Sequence, residues 1–110
     1  MPTLMQPDLP GDVMRAIETL GSRARVEILH LLQTRGALST AEIHEATPFQ
    51  PAARRSLQLH LDALEREGFI VGTPGAGHRG GRLVTWEINA AAVRSALDTL
   101  ASYVAGPSPS

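Results

Sequence analysis

Between Thr47 and Ile88 the chain reads TPFQPAARRSLQLHLDALEREGFIVGTPGAGHRGGRLVTWEI, and this run constrains the fold more than any other. It opens with a break, because a residue preceding a proline is pushed out of the α region, here Thr47 before Pro48. Pro51 suits a first helical position, and the pattern predicts a helix from there to about Glu67. Leu57, Leu61 and Leu64 form its buried stripe, and Gly68 stops it. Phe69 to Thr73 and Leu83 to Ile88 read as paired strands, with Val84, Trp86 and Ile88 alternating onto one face. The connection Pro74 to Arg82 is too long and too rich in glycine for a tight turn.

Helical patterns precede this run. Val13, Ile17 and Leu20 recur at i, i+4 and i+7, which predicts a helix from Gly11 or Asp12 to Leu20, stopped at Gly21. Ser22 can cap a second helix whose Val26, Ile28, Leu29, Leu31 and Leu32 give it a wide apolar surface, and Gly36 ends that helix. Ser39-x-x-Glu42 has the spacing of a capping box opening a short helix, Thr40 to Ala46, with Ile43 inward. A capped short helix, a break and a longer helix make a helix-turn-helix arrangement. After the strands, Asn89 can cap a last helix to about Val104, with Val93, Leu97, Leu100 and Val104 on one face.

The expectation is a mainly α chain with a small β-hairpin, in the order α-α-α-α-β-β-α. Residues 1–10 read as a disordered arm, 11–105 as one folded domain and 106–110 as a disordered tail.

Composition narrows the function classes. The 110 residues carry no cysteine, which excludes disulfides and thiolate metal sites. No leader pattern and no apolar run near the ~18 residues of a membrane span is visible, so the expectation is a cytoplasmic, nucleoid-associated protein without membrane contact. The formal net charge is −1, so any nucleic-acid surface must be a local patch. All ten basic residues are Arg, which offers bidentate recognition of phosphate and guanine, although a GC-rich genome gives the same bias.

Such a patch is predictable. With the leucine stripe buried, Arg54, Arg55, Gln58 and, at its margins, Ser56 and Leu59 remain on the outer surface of the long helix. The first residues of the second helix of a helix-turn-helix reach base edges. Arg pairs with guanine and Gln with adenine, while Ser reaches base or phosphate. The acidic Asp62, Glu65 and Glu67 trail behind. His78, Arg79 and Arg82 mark a basic ribbon tip able to reach backbone or minor groove. His60 fits either a phosphate contact or a packing role, and Thr40 and Gln50 complete the candidate DNA-binding set.

Three segments carry a family resemblance: Leu20 to Leu32, Ser56 to Val71 and Gly80 to Ile88. Together they make the chain resemble the ArsR-type winged helix-turn-helix regulators over roughly Asp12 to Val104. MarR-like and other winged-helix families share these motifs. The resemblance implies a homodimer built largely from the first and last helices. Val13, Met14, Ile17, Val93, Leu97, Leu100 and Val104 are the candidate interface positions, and a monomer this small would struggle to cover such faces.

The metal sensing of many such regulators is not carried over. There is no Cys, the last helix has no His and only Asp98 as a carboxylate, and His30, His44, His60 and His78 show no ligand spacing. No metal, cofactor or catalytic site is expected, since HExxH, GxSxG and phosphate-cradle patterns are missing. A small-molecule effector is not specified by the residues.

The leading expectation is a homodimeric, sequence-specific binder of double-stranded DNA, a repressor on a near-palindromic operator. Two alternatives stand beside it: a plasmid-partition or phage architectural DNA-binding protein, and a winged-helix protein-interaction module.

Overall fold

The computed structural model describes residues 9–47, 54–81 and 83–107, and of Arg54 the backbone only. Residues 1–8 of the arm expected over residues 1–10, together with Gln50, Pro51, Arg82 and the end of the tail, lie outside the described residues. The elements are α1 (Gly11–Leu20), α2 (Arg23–Arg35), β1 (Leu38–Ser39), α3 (Thr40–Ala46), α4 (Arg54–Arg66), β2 (Ile70–Thr73), β3 (Thr85–Ile88) and α5 (Ala90–Ala105).

Local chemistry sets the helix ends. Ser22 Oγ accepts from the Arg25 amide at the start of α2, and Asn89 Oδ1 accepts from the Ala92 amide at the start of α5. At α3 the capping box is complete: Ser39 Oγ accepts from the Glu42 amide at 3.1 Å, and Glu42 Oε1 accepts from the Ser39 amide at 2.8 Å. The end of α4 is a Schellman motif. The Phe69 amide donates to the Leu64 carbonyl and the Gly68 amide to the Glu65 carbonyl, with Gly68 left-handed at φ 80°. A side chain at Gly68 would be strained there, and the motif turns the chain from α4 directly into β2.

The sheet holds one strand beyond the expected hairpin. Its order is β1-β3-β2, all antiparallel, with Trp86 opposite both Leu38 and Gly72. β1 has only two residues, too few for any alternation to register in a sequence. It pins the start of α3 to the central strand, so the short helix and the ribbon share a sheet.

The core gathers Ile28 and Leu32 from α2, Ile43 from α3, Leu61 and Leu64 from α4, and Ile70 and Trp86 from the sheet, all essentially without solvent exposure. The stripe expected on α4 is therefore the inward face. On α1 the inward residues are Val13, Ala16 and Thr19, and Ile17 points outward. α1 packs chiefly against α5, and of the expected Val13, Ile17, Leu20 stripe Val13 is buried and Leu20 packs on the core. Val13, expected at an interface between copies, is 3% exposed and so is already covered within the chain itself.

Candidate nucleic-acid interface

The buried leucines of α4 leave Arg55, Leu59, Asp62 and Arg66 along its outer strip, all exposed. Ser56 and Gln58 sit at the borders of that strip and are half-buried. The Gln58 amide donates to Asp62 Oδ1 at 2.8 Å, a bond within one helix face that takes up one of its two N–H groups. Leu59, which sequence reasoning placed at the margin, is the most outward large apolar side chain of the helix at 64% exposed.

His60 turns toward the body of the protein. Its Nδ1 accepts from Arg25 Nε at 3.2 Å, and Arg25 also donates to the Glu18 carbonyl. Burial first, and the Arg25 charge second, hold the His60 pKa below its ordinary value. A histidine that accepts at Nδ1 is neutral and carries its proton on Nε2. The packing role expected as one option for His60 is thus filled through Arg25, tying α2 to α4.

Thr40, at the first position of α3, accepts at Oγ1 from the Trp86 indole N–H at 2.9 Å. This bond joins α3 to β3 and takes up one acceptor site of the hydroxyl.

The ribbon is braced rather than free. Arg79 folds back from the tip so that its guanidinium reaches Glu65 on α4 through two hydrogen bonds, at 3.2 and 2.5 Å. Its Nε donates to the Pro74 carbonyl at 2.9 Å, and its plane lies 4.9 Å from the centre of the Trp86 ring. The Glu65 hydrogen bonds raise the guanidinium pKa further, so the charge is permanent. Arg79 and Glu65 are each about three-quarters buried, and the pair locks ribbon to helix. Sequence reasoning assigned Arg79 to the tip and Glu65 to a trailing acidic end, and the link between them was missed. Fourteen residues and a reversal of chain direction separate them. His78 remains exposed beside the tip glycines.

A short helix held by a capping box, a second helix with an outward arginine, and a strand pair braced beside it stand in the order of one known architecture. The fold is the winged helix-turn-helix.

The comparisons agree on this fold. A crystal structure of an ArsR family transcriptional regulator superposes with a TM-score of 0.65 at 21% identity, covering 89% of this chain and 91% of the other. A possible transcriptional regulator for arsenical resistance gives 0.59 at 19% identity, with 86% and 98% covered. NolR from Sinorhizobium fredii gives 0.60 at 16% identity, with 94% and 100% covered. No protein-family model matches the chain, and no curated protein matches it.

In winged-helix terms α3 and α4 are the helix pair, and β2, the tip and β3 are the wing. Among the described residues no group of three His, Cys, Asp or Glu side chains could hold a metal ion. No described helix is long and apolar enough to cross a membrane.

Proposed function

We propose that the protein is a homodimeric, sequence-specific DNA-binding transcriptional regulator that represses by occupying a near-palindromic operator. Arg55 carries this reading: a free guanidinium on the outer strip of the second helix, near its start, where helix-turn-helix proteins meet base edges. Arg54 precedes it in the sequence and adds a second candidate. The braced wing sits beside α4, and its exposed glycine-rich tip and His78 suit approach to a phosphate backbone. Two solved structures of the same fold, described as an ArsR family transcriptional regulator and a possible transcriptional regulator for arsenical resistance, support the regulatory role.

Dimerisation rests on α1 and α5. Met14 and Ile17 on α1 and Leu97, Tyr103 and Val104 on α5 are exposed, with Val104 at 73%. α5 is 16 residues long, yet none of its side chains is fully buried within the chain. Val93 and Leu100 are half-buried at the same helix, with Val93 leaning on the core. A second copy applied to this face would remove its apolar surface from water.

The test has two arms. Purified protein is used to select duplexes from a random pool, and the enriched duplex is titrated against a scrambled one at two salt concentrations. Wild type should prefer the selected duplex, and Arg55→Ala should lose roughly 1–3 kcal/mol per half-site and relax the preference at one position of each half-site. Sedimentation velocity should give a dimer that Leu97→Glu dissociates. A protein that enriches no duplex overturns the reading.

A further inference from the structure

We infer that Leu59 is a specificity residue that packs against the 5-methyl group of a thymine about two base pairs from the base met by Arg55. This rests on the DNA-reading role of α4 argued above and adds to it the chemistry of a second base. Among the described residues of α4, Leu59 is the one exposed large apolar side chain, against a leucine set at 57, 61 and 64 that is wholly inward. It lies one turn beyond Arg55 on the same strip. Its border neighbours are less available: Ser56 is half-buried, and the Gln58 amide is engaged by Asp62. The leading half of the strip therefore presents a guanidinium and then an isobutyl group.

The major-groove edges of the four bases offer one apolar group, the thymine methyl, and guanidinium pairs best with guanine. Four residues of helix rise span about 6 Å, and successive base pairs lie about 3.4 Å apart, which places the two contacts roughly two steps from each other. A polar base edge opposite Leu59 would lose water without gaining a hydrogen bond, so the residue selects against the other bases as well as for thymine.

The experiment uses the full chain and the duplex enriched by wild-type protein. Each thymine is replaced singly by deoxyuridine, which removes only the methyl, and affinities are measured for wild type, Leu59→Ala and Arg55→Ala. Wild type should lose about fourfold at one thymine of each half-site, the worth of one buried methyl group. Leu59→Ala should show no loss there, and that thymine should lie within about three base pairs of the position whose preference Arg55→Ala relaxes. Leu59→Gln, equally exposed and therefore foldable, should weaken the thymine preference at the same position. The inference is overturned if no thymine responds to loss of its methyl, or if Leu59→Ala keeps the full response. Failure of wild type to enrich any duplex would overturn the DNA-reading role itself, and this inference with it.

Discussion

Gly72 faces the indole of Trp86 across the β2–β3 pair, and the space above it is closed. A Cβ at this position would stand 2.8 Å from Cζ3 and 3.1 Å from Cε3 of the ring, with the Arg79 guanidinium also in its way. Ordinary contact begins near 3.4 Å, so the ring would have to yield about 0.6 Å at its nearest atom. Arg79 Nη2 can yield as the end of a long side chain, at the expense of its bond to Glu65. The indole cannot move freely: it is 1% exposed, belongs to the central strand, and its N–H is held by Thr40. Gly72→Ala is therefore expected to destabilise by about 1–3 kcal/mol, the usual cost of overpacking. For a domain of this size that lowers the melting temperature by roughly 5–20 °C.

Trp86 is the sole tryptophan, so its emission reports unfolding and the local disturbance in the same measurement. Urea and thermal melts of wild type, Gly72→Ala, Arg79→Ala and the double variant apportion the effect. If the ring is the immovable partner, Gly72→Ala should cost nearly as much in the Arg79→Ala background as alone. A Gly72→Ala protein that melts within about 2 °C of wild type with unchanged emission would refute the reasoning.

Other expectations follow from the same geometry. Ser39→Ala removes the oxygen that caps α3 and should cost about 1 kcal/mol, read from a urea midpoint. Because the His60 pKa is depressed on folding, the unfolded chain binds more protons as pH falls below about 6.5. His60 should thus have no effect on the pH dependence above that point and reduce stability progressively below it. Denaturation of His60→Asn between pH 7.5 and 5.5 should show a flatter acid limb than wild type. Glu65→Gln unlocks the wing from α4 and should weaken binding to all duplexes similarly, measured by fluorescence anisotropy, while leaving the ranking of duplexes intact.

What could be read from the sequence was the chemistry carried by neighbours. Ser22, Ser39-x-x-Glu42 and Asn89 announce helix starts within a turn of themselves, and all three caps are formed. The leucines at 57, 61 and 64 fix the rotation of α4, and with it the outward position of Arg55. Features made by distant residues were not legible. Trp86 meets Thr40 across 46 positions, and Arg79 meets Glu65 across a reversal of the chain. The α1 stripe is inward at Val13 and Leu20 but not at Ile17, which is exposed while the small Ala16 and Thr19 are buried, and small residues leave no apolar signal strong enough to fix a helix's rotation.

β1 has a consequence for where this chain can change length. Only Gly36 and Ala37 separate the end of α2 from a strand whose second residue is also the cap of α3. A residue inserted there must either break the pairing with β3 or carry the cap out of register, so the segment should tolerate no growth. The wing tip is the opposite case, but it has a fixed point in its middle. Arg79 is tethered while Gly75, Ala76, Gly77, Gly80 and Gly81 around it are exposed, so length can be added on either side of the tether. Chains of this architecture can accordingly vary the reach of the wing while keeping its angle to α4, and a peptide tag or fluorophore site belongs between Gly80 and Gly81.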